Sequence, residues 1–487
     1  MSTSVASAST LKTGLIINGE VVDTDTWTPV YDPAEPSSVV GYSASASVGH
    51  SRAAVDAASA AFTSWSAMPV TERVDLILAA LNAVEQQQQS LSHLLVRENG
   101  KILAEAEIDV AVFGVRVRAA CALGHEVSNP VHLSGPPFRT EVHRLPVGVV
   151  TIIVPFNWPL AILAASLPYA LVAGNSVVVK PPPTAPLAVV SALEIMSLEL
   201  PPGVLNVVTG DNANVEPLIT DPRVQHVVFT GSTSAGKRIM TLAAETLTKV
   251  TLELGGNDPA IVLDDIDLNN QILSDLVAAT YLTSGQVCMG VKRIYVARQR
   301  FDELVDGMGS VLDSMLIGRG TNPKVTMGPL HTGAQKTYVR DLVQQAQESG
   351  AEVREFGSYS DDVDEHRGHF LKPTLVLDPD VNQKVVTEEQ FGPTVPVIPF
   401  DNVDSLVGQL NSEWSGLCSS VWSGDEERAG KIARGLRTGT SWVNQANAGA
   451  CDDRAPFGGF RQSGLGREMG TEGLVDFTEA HTVTFRQ

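Results

Sequence analysis

Short β-branched runs separated by stretches of helix length constrain this chain more than any other feature of its sequence. Gly148-Val149-Val150-Thr151-Ile152-Ile153-Val154, Ser176-Val177-Val178-Val179, Val204-Leu205-Asn206-Val207-Val208 and His226-Val227-Val228-Phe229 follow one another with helix-compatible sequence between them. A run that stays apolar without alternating belongs to a strand covered on both faces, and parallel neighbours need a crossover of helix length. The pattern therefore predicts βαβ units and a parallel sheet, which binds ligands beyond the carboxyl ends of its strands. Ile261-Val262-Leu263, Arg293 to Val296 and Val395 to Ile398 predict a second α/β region, and Thr482-Val483-Thr484-Phe485 a terminal strand that pairs elsewhere. From Thr71, the helical spacing of Val74, Ile77, Leu78, Leu81 and Val84, then Leu94 to Val96 before the stop Asn99-Gly100, predicts that the N-terminal third begins with helices. Gln86 to Gln89 falls inside that helical pattern.

A chain of 487 residues is longer than one core serves, so two or three domains are expected. The formal net charge of -21, with no basic run to offset it, argues against nucleic acid and anionic membrane surfaces as partners. Cys121, Cys288, Cys418 and Cys451 are widely spaced, with no CxxC or Cys/His cluster. That suggests neither a disulfide framework nor a metal site, and points to a reducing, cytoplasmic compartment. Met1 to Thr13 lacks the basic and apolar regions of a secretory signal and reads as a frayed leader. Leu160 to Val179 is membrane-like in hydropathy but interrupted by Pro168, Gly174, Asn175 and Ser176, which favours a buried helix followed by a buried strand.

Four segments carry chemistry. Cys288, in Thr283-Ser284-Gly285-Gln286-Val287-Cys288-Met289-Gly290, lies between a predicted helix and a predicted strand, where a thiol can meet a ligand; read alone, a free cysteine is more often a small buried hydrophobe. Gly231-Ser232-Thr233-Ser234-Ala235-Gly236-Lys237-Arg238 brings backbone N–H groups close to a phosphate at a helix start. It is nearly a P-loop, but Arg238 replaces the hydroxyl that would hold magnesium, so a nucleotide hydrolase and a plain turn remain alternatives. Asn157, in Val154-Pro155-Phe156-Asn157-Trp158-Pro159, puts an amide at a strand end, as an oxyanion donor or a helix cap. Glu253, before Gly255-Gly256, is a carboxylate in an apolar strand, where desolvation raises its pKa toward that of a general base; it and Glu389 equally suit structural ion pairs.

Asn157, Glu253, Cys288 and Glu389, in this order and with these neighbours, resemble the aldehyde dehydrogenase superfamily. Lys180, the Gly231 to Gly236 loop and Pro456-Phe457-Gly458-Gly459-Phe460-Arg461-Gln462-Ser463-Gly464-Leu465-Gly466-Arg467-Glu468 fit as well, and the likeness runs from Ile17-Asn18-Gly19-Glu20 to the terminal strand. The resemblance implies an α/β fold of two Rossmann-like parallel-sheet domains plus a small β oligomerisation element. It places the cofactor domain at 1–127 and 147–255, the catalytic domain at 256–469, and the oligomerisation element at 128–146 and 470–487, in a homodimer or homotetramer. It implies that Cys288 attacks an aldehyde, that Asn157 and the Cys288 N–H hold the oxyanion, and that Glu253 activates water to release a carboxylic acid. A scaffold that keeps the fold without the chemistry is the non-enzyme alternative.

The same likeness assigns a nicotinamide cofactor to Val154, Pro155, Phe156, Lys180, Pro183, Gly231, Ser232, Leu254, Glu389 and Phe391. Members strict for NAD often carry a carboxylate three residues after the lysine; Pro183 stands there, so NAD is favoured and NADP admitted. CoA-acylating relatives generally lack the Glu253 carboxylate. A mainly apolar tunnel is implied at Trp158, Ile162, Ala165, Leu282, Val287 and Cys451. Small Ala165 and Cys451, where many relatives have an aromatic residue, suit a bulkier aliphatic or aromatic aldehyde. Arg454 is either a carboxylate anchor for a semialdehyde or a surface cation, and Cys451 either lines the tunnel or pairs with Cys288.

Overall fold

The computed structural model describes residues 11–364 and 366–486. Its first large sheet has five parallel strands at its centre, in the order Lys249–Leu254, Val224–Gly231, Val149–Ile153, Ser176–Lys180, Leu205–Val207. Antiparallel strands finish both margins, Gly464–Leu465 on one side and Leu15–Ile17 with Glu20–Val22 on the other. The chain enters at Val149–Ile153, winds outward to Leu205–Val207, and returns to lay Val224–Gly231 on the opposite flank of its starting strand. Connections leave those two neighbouring strands in opposite directions, so a crevice opens between their carboxyl ends, at Val154 and at Gly231.

The second sheet repeats the device. Thr374–Leu377, Thr394–Phe400, Arg293–Ala297, Pro259–Val262, Cys418–Trp422 and Thr440–Val443 run parallel, with Glu352–Glu355 antiparallel at one edge. The terminal strand is Thr478–Arg486, paired along its length with Phe138–Pro146, which also pairs with Val131–Gly135.

Helix Pro159–Ala173 is apolar on every side because every side is covered, and Gly174, at φ 100°, caps it in the left-handed region before the buried strand Ser176–Lys180. Among the described residues no helix is long and apolar enough to cross a membrane. The first turn of Pro159–Ala173 is tied to helix Leu103–Ala122: Asp109 Oδ1 accepts from the Ala161 N–H at 2.7 Å, and Asp109 Oδ2 pairs with Lys101 Nζ at 2.8 Å. Both charged side chains are fully buried, and the Lys101 ammonium also sits 4.2 Å from the Trp158 ring centroid. Asp109→Ala would leave a buried ammonium without its anion, so a loss of about 3–5 kcal/mol is expected in urea unfolding. A loss within experimental error would show that water already screens the pair.

Three expectations need correction. The N-terminal third does not begin with helices: strands between Leu11 and Ala44 precede the helix Val48–Ala67. Several of these strands are only three residues long, too short to show a period, and they are held by partners distant in sequence, as Ile16 is by Val207. Leu11–Thr13, read as part of a leader, pairs with Gly41–Ser43, while Met1 to Thr10 lie outside the described residues. The glutamine run is not internal to one helix: helix Val70–Glu85 ends before it, and helix Gln88–Asn99 starts within it.

Candidate active site

Cys288 follows a loop that the chain could not hold without outside help. Thr283, Ser284 and Gly285 all have positive φ, at 52°, 56° and 73°, which is costly for the two residues that carry a Cβ. Gly285 has no alternative, since a Cβ there would lie 2.2 Å from the Gly392 carbonyl oxygen. Hydrogen bonds to other segments fix the turn. The Thr283 N–H donates to Glu105 Oε1 at 2.7 Å, Ser284 Oγ donates to the Gly328 carbonyl at 2.8 Å, and Gln286 Oε1 accepts from the His331 N–H at 2.9 Å. Beyond the thiol, buried Lys292 donates to the carbonyls of Val287 and, at 3.0 Å, Gly290, gripping the residues on both sides of Cys288.

Asn157 reaches the same loop from the end of strand Val149–Ile153. Its Nδ2 donates to the Gln286 carbonyl at 2.9 Å, which leaves the second amide N–H for another acceptor. Glu253 lies in Lys249–Leu254, 3% exposed, and neither carboxylate oxygen has a hydrogen-bond partner. Burial raises its pKa well above the usual carboxylate range, repulsion from Glu468 adds to this, and Arg467 only partly opposes it. Burial likewise pushes the Cys288 thiol up to about 12, with Lys292 opposing and Glu389, Glu253 and Asp258 reinforcing. Burial thus disfavours the charged form of both the Cys288 thiol and the Glu253 carboxyl.

Two cavities meet at these residues. One, of about 620 Å³, opens in the crevice between the diverging strands. Val154, Pro155, Phe156, Lys180, Pro183, Gly231, Ser232, Leu254, Glu389 and Phe391 all line it. Ser232 caps helix Thr233–Ala243 by accepting from the Ala235 N–H. Burial lowers Lys180 to about 8 and raises Glu389 to about 7, with Lys292 and the Gly256 N–H opposing the second shift. Glu389 Oε1 is buried without a partner, and a Cβ at Gly255 would come within 2.2 Å of Oε2, so the carboxylate depends on a glycine for its place. An acceptor and an ammonium spaced along a glycine-lined crevice suit the hydroxyls and pyrophosphate of a dinucleotide. Arg238, in the near-P-loop, pairs with Glu216 at 3.6 Å on the wall of this cavity.

The other cavity, of about 570 Å³, is lined mainly by apolar side chains, among them Trp158, Ile162, Ala165, Leu282 and Val287. Cys451 is not among its lining residues, and its Sγ lies 3.8 Å from Nη2 of the lining Arg116. All four cysteines are free, so the Cys288–Cys451 disulfide is absent. Arg454 is a surface cation, its guanidinium bonded to Asp452. Asn157, Glu253 and Cys288 line both cavities.

The sequence model of the aldehyde dehydrogenase family matches residues 21–483. The chain belongs to the aldehyde dehydrogenase family. Lactaldehyde dehydrogenase of Escherichia coli is 32% identical over 463 residues, covering 94% of this chain and 95% of that protein. The NADP-dependent succinate-semialdehyde dehydrogenase of the same organism is 32% identical over 478 residues, covering 95% and 96%. A crystal structure of the lactaldehyde enzyme superposes with a TM-score of 0.92 at 30% identity, over 98% of this chain and 99% of that one. Betaine aldehyde dehydrogenase from Staphylococcus aureus, in complex with NAD+, gives 0.92 at 28% identity, over 97% and 95%. This aldehyde dehydrogenase thus has the expected α/β architecture and belongs to an NAD(P)-dependent family.

Sequence reasoning missed several groups that shape this aldehyde dehydrogenase's site. Lys292, Asp258, Glu105 and Arg116 are charged residues 3–7% exposed, and nothing in their neighbours in sequence distinguishes them from surface charges. Asn99, read as a helix stop, is buried, and its amide donates to the Phe156 carbonyl, holding the segment that carries Asn157.

Proposed function

We propose that this protein oxidises a moderately bulky apolar or aromatic aldehyde to its carboxylic acid, with NAD favoured and NADP accepted. The observation that carries the reading is the position of Asn157, Glu253 and Cys288 where the two cavities meet. A nicotinamide cofactor would be held by Lys180, Ser232, Glu389 and Phe391 and, when bound, supplies the hydride acceptor. Cys288 gives its proton to Glu253 and adds to the aldehyde carbonyl, and the free Asn157 N–H with the Cys288 N–H stabilises the resulting oxyanion. Cys288 then carries the acyl group as a thioester. After releasing the thiol's proton to solvent, Glu253, unbonded and desolvated, takes a proton from water as that water attacks the thioester and passes it to the departing Cys288 sulfur, returning the thiol and releasing the acid.

Pro183 on the cofactor wall places no carboxylate against a 2'-phosphate, which supports tolerance of NADP. Exposed Val131, Leu133, Phe138 and Phe485 on the three-stranded sheet suit association of copies as a dimer or tetramer, and four free thiols suit the cytoplasm. An aldehyde panel run with NAD and NADP, with and without CoA, tests the reading. Aromatic and longer alkyl aldehydes should give free acids at rates unaffected by CoA. Acyl-CoA as product, or a preference for small polar aldehydes, would overturn it.

A further inference from the structure

On helix Leu103–Ala122, Ile108, Val112 and Arg116 recur at helical spacing, and all three line the apolar cavity. Two of them are ordinary for such a wall. The third is a guanidinium in a residue only 7% exposed, a position that a cation keeps only when it is paired. Each of its nitrogens is engaged by the protein. Nε donates to Asp453 Oδ1 at 2.9 Å, Nη1 to the Ala161 carbonyl at 2.8 Å, and Nη2 lies 3.8 Å from Cys451 Sγ. Among the described lining residues Arg116 is the only Lys or Arg, whereas Glu253, Asp275 and Glu468 are acids. With Asp453 neutralising Arg116, the wall offers no net positive charge to an incoming anion.

We propose that the Arg116–Asp453 pair sets the charge class of the substrate, admitting neutral aldehydes and rejecting those that carry a carboxylate. This rests on the aldehyde-oxidising function proposed above and narrows it. An anionic aldehyde must either displace Asp453 from Arg116 or enter a desolvated cavity unpaired, beside Asp275. Both routes are unfavourable, and a neutral ring or alkyl chain meets neither. The pair is therefore a masked anion site. Removing the Asp453 charge while keeping its shape should unmask it.

The test compares kcat/KM for 4-methylbenzaldehyde and 4-carboxybenzaldehyde, which differ in charge at nearly equal size. The wild type should favour the methyl compound by roughly tenfold or more, a comparison that needs no variant. In Asp453→Asn the carboxylate-to-methyl ratio should rise by about tenfold or more, chiefly through KM, and adding Arg116→Met should remove the gain. Asp453→Ser serves if the asparagine variant folds poorly. A wild type that prefers the carboxylated aldehyde, or a folded Asp453 variant whose ratio stays within about twofold of wild type, would overturn the proposal. A wild type that oxidises neither compound nor any other aldehyde would instead refute the proposed function.

Discussion

Cys288→Ala is expected to lower aldehyde-dependent reduction of NAD by roughly four orders of magnitude or more, with little change in thermal unfolding. The two halves of that expectation have separate causes. The turn around Cys288 is fixed by Glu105, Ser284, His331 and Lys292 through backbone groups and other side chains, none of which uses the thiol. Truncation therefore removes the proposed nucleophile and leaves its frame. Without a thiol, nothing at the junction of the cavities can form the covalent adduct from which hydride departs, and the remaining oxyanion donors have no adduct to stabilise. Intact-mass measurement after mixing with aldehyde and cofactor should show no acyl addition. A variant oxidising aldehydes within about a hundredfold of wild type would dispose of the covalent mechanism.

Glu253→Gln should separate the two halves of the reaction. The carboxylate has no hydrogen-bond partner to lose, and its removal relieves repulsion with Glu468, so the amide fits at small structural cost. At alkaline pH, where more of the thiol ionises without help, acylation proceeds once. A burst of reduced cofactor close to one per site is expected, followed by turnover slower by about 10²–10⁴-fold, with an acyl group retained on Cys288. The pH dependence carries a definite sign. In the proposed mechanism Glu253 works as the ionised base, and its pKa is raised, so wild-type deacylation should fall as pH drops through that raised value and recover above it. The glutamine variant loses this dependence. Full turnover without a burst would assign water activation to another group.

The sequence was most legible where the signal was local and repeated. Buried parallel strands advertise themselves as unbroken β-branched runs, and all four between Gly148 and Phe229 fall on strands of the first sheet. The glycine loop was readable for the same reason, since the turn and the helix start are encoded within a few residues. Relations across the chain were not. Lys292 reads as one more surface lysine until the fold tucks it beneath Val287, and Asp109 and Ala161 meet only because two helices pack. The strain at Thr283 and Ser284 was hidden too, because those residue types do not ask for positive φ; the surroundings impose it. Arg116 failed as a signal in the opposite way to Cys451. The first went unread and lines the cavity, whereas the second was expected in the lining and is not among the lining residues.

The meeting of the two cavities bears on how such a chain can change over time. Among the described residues, only Asn157, Thr230, Glu253, Leu254 and Cys288 belong to both walls. Free-energy effects of substitutions at sites without shared partners add nearly independently, so drift in one chamber is felt in the other chiefly through those five positions and through buried groups that reach both walls, as Lys292 does. On the proposed function, preference for an aldehyde and preference for a dinucleotide are then largely separate traits. A lineage can be selected on one while the other stays as it was.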